Sequence, residues 1–346
     1  MPSQPPLPPL LTPYLSSHPD SSLTLVTSIL GATSNWLILR FLHSSLASLW
    51  APNPSFGLDE SNNGTKKKVV LISFLRGWHF WRTEAKRLGL DLARLADKKQ
   101  FAFIDGLSDL FNTAQGSRSP ANPTPARPGI PQRTTLPVRG PPGAVPARGP
   151  PTAQIPSAGA PEGTTDKGVA QTLSFSGRGV AALDALENEI LAVIAQLKIS
   201  AEDGEEILLV IDQPDFLLAA TGPSMDIGAT EMAEWITGLQ QNVHATVITL
   251  AADSPLIHNA STSGIQGSTP IEGEHAAFAI GLAHRARSVM QLRTLETGAA
   301  TDVSGVLRIS RGGGWSSGPE DNLDEKELLY YIQRDGGVRV FGRGES

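Results

Sequence analysis

The chain has 346 residues, 40% of them hydrophobic, a formal net charge of -6 and no cysteine. The absence of cysteine excludes a disulfide framework and a thiolate metal site, and fits a reducing compartment. The acid excess argues against a strong autonomous nucleic-acid binder, whose domain normally carries surplus Lys and Arg, but not against an RNA surface shared among several subunits.

Met1 to Asp20 is Pro-rich and has no basic segment followed by an apolar one, so it reads as a flexible tail rather than a secretory signal. The longest early uncharged run, Ser21 to Leu39, is dotted with Ser, Thr, Gly and Asn, which suits a strand, a turn and a helix better than a membrane span. Leu23 to Leu30 is the strand, and Leu39, Leu42, Leu46 and Leu49 stripe the helix after Gly31 to Trp36. Val69 to Leu75 is a near-continuous apolar run, as a buried parallel strand should be. Trp78, Trp81, Ala85 and Leu88 then share one helical face, and Phe101 to Asp105 makes a short third strand.

From 113 to 171 the composition changes. Pro120 to Pro161 holds 13 of the 27 prolines and almost no large apolar residues, and Arg118, Arg127, Arg133, Arg139 and Arg148 punctuate the wider segment. Such a stretch cannot bury enough surface to offset the entropy of ordering, so it reads as a disordered, weakly basic insertion. It is thermodynamically cheap, since loop closure costs only about 0.6 kcal/mol more per doubling of length. Residues 21–346 are therefore read as one domain interrupted by 113–171.

Beyond it, Leu183, Leu186, Ile190, Val193 and Leu197 recur at helical spacing. That helix feeds the strand Ile207 to Asp212; a helix from Thr230 to Gln241 leads to the strand Val243 to Leu250. Ser288 to Leu295 and Val306 to Ser310 read as strands, and Leu328 to Gln333 and Val338 to Phe341 flank Asp335-Gly336-Gly337, a hairpin signal. The alternation predicts an α/β fold: a mostly parallel twisted sheet, helices on both faces and an antiparallel C-terminal hairpin.

Asp212 closes an apolar strand at the carboxyl edge, where open α/β sheets bind ligands. In P-loop ATPases an acid so placed helps hold Mg²⁺; equally, Asp212 could cap the turn through Gln213, Pro214 and Asp215. The companion G-x-x-x-x-G-K-[ST] loop is missing: after the first strand stand Gly31, Ala32, Thr33, Ser34, Asn35 and Trp36, with no second Gly and no Lys. Gly31, Ser34 and Asn35 mark a degenerate phosphate-loop position and Asp212 a degenerate magnesium position. Helix N-termini attract anions without any Lys, so residual nucleotide binding stays conceivable, while efficient hydrolysis is not expected. The second strand ends Ser73-Phe74-Leu75-Arg76, without the activating carboxylate found there in many such enzymes.

The seven His residues show no metal-ligand spacing, Glu274-His275 standing alone, and no G-x-S-x-G elbow is present. No catalytic residue, metal or cofactor is assigned. Gly312-Gly313-Gly314 reads as a flexible turn. Lys66 to Lys68, Arg285 with Arg287 and Arg293, and Arg308 with Arg311 are basic clusters that either contact phosphate or are simply solvated. Arg285, Arg287, Arg308 and Arg311 are the candidates for RNA contact.

Taken in order, Leu30 to Trp36, Ser73 to Arg76 with Trp78-His79-Phe80-Trp81, Phe101 to Leu107, Val210 to Asp215 and Tyr330 to Gly337 resemble the fungal Elongator complex protein 6 family. The resemblance spans both folded portions and omits the Pro-rich insertion. It implies a RecA-like fold lacking intact phosphate-loop and magnesium motifs. It also implies assembly with Elongator complex proteins 4 and 5, two copies of each, into a hexameric ring that joins the remaining Elongator subunits. That ring is an accessory that binds tRNA and responds to ATP; wobble-uridine modification belongs to another subunit. The resemblance implies no membrane and a cytoplasmic location, with the nucleus as a second one. Two other readings stay open: an ATPase with a non-standard phosphate loop, and a recombinase-like DNA-binding paralogue.

Overall fold

The computed structural model describes residues 7–16, 18–46, 67–112, 170–199, 206–258, 269–295, 302–316 and 323–342. They belong to one compact unit made of 1–113 and 167–346. The Pro120 to Pro161 segment, Leu49 and Lys66 lie outside the described residues.

Apolar runs bounded by Gly, Ser and Asp become the strands β1 (Ser22–Ser28), β2 (Lys67–Ser73), β3 (Phe101–Asp105), β5 (Glu206–Asp212) and β6 (Ala245–Ala251), with the short β4 (Ala170–Thr172) between β3 and β5 in sequence. Late in the chain come β7 (Ser288–Arg293), β8 (Gly305–Arg311), β9 (Lys326–Ile332) and β10 (Val338–Gly342). They form one sheet in the order β10-β9-β8-β7-β1-β6-β5-β2-β3-β4. From β7 to β4 all neighbours are parallel, and β7-β8, β8-β9 and β9-β10 are antiparallel. The antiparallel part thus begins two connections before the expected hairpin.

Side chains alternate across the pleat, so one strand serves two cores. Along β5, Leu208 and Val210 join one buried cluster, while Ile207, Leu209 and Ile211 join the other. The first cluster packs under α1 (Thr12–Ser16), α2 (Asn35–Leu46), α3 (Trp78–Arg87) and α4 (Leu92–Asp97). The second packs under α5 (Gly179–Ile199), α6 (Asp215–Thr221), α7 (Ala229–Gln240) and α9 (Pro270–Arg285), with the one-turn α8 (Ser254–Ile257) alongside. The striped residues Ala182, Leu183, Leu186, Ile190, Val193, Ile194 and Leu197 are the buried face of α5, as their period requires.

Three expectations change. Residues 7–16 are not a loose tail: Leu11 and Leu15 are fully buried beside α2, and Tyr14 donates from its hydroxyl to the Asp324 carbonyl at 2.9 Å. The insertion ends before 171, because Ala170–Thr172 is already paired with Phe103–Asp105. Gly312 to Gly314 form a turn pressed against the end of α9. Gly312 N–H donates to Arg287 O, Gly313 N–H to Ala283 O and Gly314 N–H to Ala286 O, at 2.9–3.1 Å. A Cβ on Gly313 would stand 2.5 Å from the His284 carbonyl oxygen, so contact between two backbones, not flexibility, demands glycine there. No helix among the described residues is long and apolar enough to cross a membrane.

Candidate functional site

The carboxyl ends of β1, β6, β5, β2 and β3 line up at one edge of the sheet. Register sets Ser73 of β2 and Thr249 of β6 on either side of Asp212. Ser73 Oγ donates to Asp212 Oδ2 at 2.8 Å, and Thr249 Oγ1 donates to Oδ1 at 2.9 Å. Asp212 is 0% exposed. Burial pushes its pKa up to about 6, against the opposing pull of the two hydroxyls and the Arg76 charge, while Asp215 adds a further push upward. Its carboxylate therefore ties three strands together. The expected cap of the following turn is not what it does, because the Gln213 N–H goes to Thr249 O and Thr249 Oγ1, both at 3.1 Å. Gln213 itself sits in the left-handed region, φ 56°, and is buried, a strained position immediately beyond the acid.

Capping is done by neighbouring acids. Asp105 Oδ1 accepts from the N–H groups of Leu107 and Ser108 at 2.9 Å each, closing the loop after β3. Asp215 opens α6 and accepts on Oδ2 from Ala251 N–H at 3.3 Å, with His275 Nε2 3.3 Å away; His275 Nδ1 lies 3.3 Å from the Leu256 carbonyl. Both side chains of this pair are buried. Sequence spacing gave no sign of it, since 60 positions separate the partners.

After β1 the chain folds into a tight turn. Ala32 N–H donates to Ile29 O at 2.9 Å, Gly31 takes φ 92°, and Leu30 N–H donates to Asp253 Oδ1 at 2.9 Å. Two of the amides that would cradle an anion are thus already occupied. Ser34 is buried and its carbonyl starts α2 by accepting from Leu37 and Ile38. Asn35 Oδ1 accepts from Arg76 Nε at 3.0 Å, and the Arg76 guanidinium stacks 4.4 Å from the Phe80 ring centre. The cation at the end of β2 is therefore engaged with Asn35, next to the helix N-terminus. Among the described residues no group of three or more acids and histidines is placed to hold a metal ion.

No protein-family model and no curated protein matches this chain. Among solved structures it is similar to a KaiC-like protein from the hyperthermophilic archaeon Pyrococcus horikoshii OT3, with a TM-score of 0.51 over 97% of each chain at 11% identity. The fold is RecA-like. At that identity the likeness speaks to the fold alone.

On this RecA-like frame the site candidates divide. Gly31, Ser34, Asn35 and Asp212 share the carboxyl edge. Arg285, Arg287 and Arg311 gather at the opposite edge, where Ser288 pairs with Arg311 and Gly312 bonds Arg287. They are largely committed: Arg285 donates to Ala233 O and Gln240 Oε1, and Arg311 stacks over Trp315 and donates to Leu323 O. Burial lowers the pKa of Arg285 and of Arg287. Arg293 pairs with Glu327 at 2.7 Å, and Lys68 Nζ is buried on the Leu197 carbonyl at 3.1 Å. Arg308 stands apart, mid-strand and exposed on β8.

Proposed function

We propose that this chain is a non-catalytic ring subunit of the Elongator complex. It assembles with Elongator complex proteins 4 and 5 into a RecA-like hetero-hexamer that binds tRNA and supports wobble-uridine modification. The family resemblance of the ordered motifs motivates the partners; the chemistry of the carboxyl edge supports the non-catalytic role. One observation carries that role most directly: the only acid ending β5 has no exposed surface and both its oxygens receive protein hydroxyls.

Beside the charged groups of this edge stand exposed apolar side chains. Leu30 is 88% exposed, and Leu107 and Phe111, after β3, and Phe216, in the first turn of α6, are exposed as well. Aromatic and aliphatic side chains left in water at an edge suit a packing face against a neighbouring subunit. In this reading the Gly31 to Trp36 turn and the Asp212 to Asp215 turn lie at one subunit boundary, and the subunit works in the cytoplasm, with the nucleus as a second location.

ATP turnover by the purified chain and by the reconstituted ring tests the role. The isolated chain is expected to show none above background. Turnover by the chain alone that disappears in Asp212→Asn and in Asp212→Ala would instead make it an ATPase with an unusual phosphate loop. Competition between tRNA and single-stranded DNA for the assembled ring separates the recombinase-like alternative.

A further inference from the structure

Beside α9 one face of the sheet is left uncovered by the described residues. Phe278 and Leu282 anchor the helix in the core, while Ala279, Ile280 and Ala283 turn to a groove of about 360 Å³ floored by β1, β7 and β8. Register places Thr27, Gln291 and Arg308 in one cross-strand row, and Leu25, Val289 and Ser310 in the row beside it. One wall is aliphatic, the floor is mixed, and the rim carries a cation.

That cation is uncommitted within the described residues. Arg308 makes no ion pair or side-chain hydrogen bond among the described residues. Glu327, directly opposite it on β9, is bonded to Arg293 at 2.7 Å instead. The wall residue Ile280 is exposed although it has Ala276 and Ala283 one turn to either side. An apolar concavity with a few convergent polar groups is the usual form of a recognition site.

We propose that this groove docks a short acidic and aliphatic peptide segment of a partner chain. An aliphatic side chain seats against Ile280, Ala283 and Val289, and a carboxylate pairs with Arg308. Charge complementarity selects a carboxylate, and the number of charges selects a peptide over a nucleic acid. One cation neutralises one phosphate, whereas useful nucleic-acid affinity needs several such contacts, and among the described residues lining the groove His258 is the one ring that could stack a base. The groove lies on the sheet face beside α9, so the proposal does not rest on the Elongator assignment.

The test uses the full chain and an array of short fluorescent peptides carrying one Asp or Glu near a Leu, Ile or Val, each with an Asn or Gln twin, read by anisotropy. Acidic members should bind about tenfold or more tightly than their amide twins. Arg308→Gln should abolish that preference without moving the melting temperature, and Ile280→Ser should weaken acids and amides alike. The proposal is overturned if no acidic member binds, if acids and amides bind equally, or if Arg308→Gln leaves the preference intact. It is likewise overturned if an oligouridylate displaces the peptides with a salt dependence of several phosphates, or if the chain self-associates through this face and Ile280→Ser disperses it.

Discussion

Ser73 and Asp212 sit in register on adjacent parallel strands, and the hydroxyl of the first donates to the buried carboxylate of the second at 2.8 Å. Thr249 does the same from the other side at 2.9 Å. Ser73→Ala or Thr249→Val leaves one oxygen of a buried acid without its donor. Each should lower stability by about 1–3 kcal/mol in urea denaturation at neutral pH.

Asp212 also links stability to pH. Its folded pKa, pushed by burial up to about 6 from the ordinary carboxylate value of 3.8, means that the folded state holds the proton more tightly than the unfolded one. Stability from this group is greatest below about pH 4, falls as pH rises through 4 to 6, and is then level, a loss on the order of 3 kcal/mol. Asp212→Asn should remove that fall: urea curves at pH 4.5 and 7 should differ less for the variant than for the parent.

Arg40, 1% exposed on α2, donates to Gly336 O at 3.1 Å, and its Nε is buried without a partner among the described residues. Burial lowers its pKa to about 10. A buried cation lacking a carboxylate among the described residues is a cost to the fold, so Arg40→Met should be neutral or should raise the melting temperature. Arg40→Ala, which empties the volume as well, should lower it by the equivalent of about 2–4 kcal/mol.

Two glycines at one helix end should respond oppositely to alanine. Gly281 lies within α9 with nothing in the way of a Cβ, so Gly281→Ala should stabilise by about 0.5–1 kcal/mol. Gly313→Ala drives a methyl into backbone at the end of the same helix and should destabilise by about 1–3 kcal/mol. Thermal melts of the two variants decide this directly.

Leu15 is fully buried next to α2. Leu15→Ala should cost about 2–5 kcal/mol in chemical denaturation, whereas a loose tail would lose nothing.

What was legible in the sequence follows from period and punctuation. The run Ile207 to Asp212, the stripe from Leu183 to Leu197 and the Asp335-Gly336-Gly337 hairpin each carry a local pattern, so strand, helix and turn could be read with no knowledge of neighbours. Leu11 and Leu15 could not: a five-residue helix among prolines has too few turns to show a period, and its burial depends on α2. The pairing of Asp215 with His275, and of Ser73 and Thr249 with Asp212, is created by strand order and register, which no local spacing encodes. The glycines at 312–314 carry a turn signal, but only the end of α9 reveals that they are there for contact. The four arginines looked like one class and are not, because three lie at the far edge of the sheet and Arg308 faces a groove.

The central claim is that the carboxyl edge, with its acid sealed, serves as a packing face within a ring. Sedimentation of the chain mixed with Elongator complex proteins 4 and 5 tests it, comparing the parent with Leu30→Asp and Phe216→Asp, both exposed in the isolated chain. The account predicts a hexamer containing two copies of each protein, which either charged variant breaks while keeping its own melting temperature. A chain that sediments alone in that mixture, or a hexamer indifferent to both charges, would contradict it.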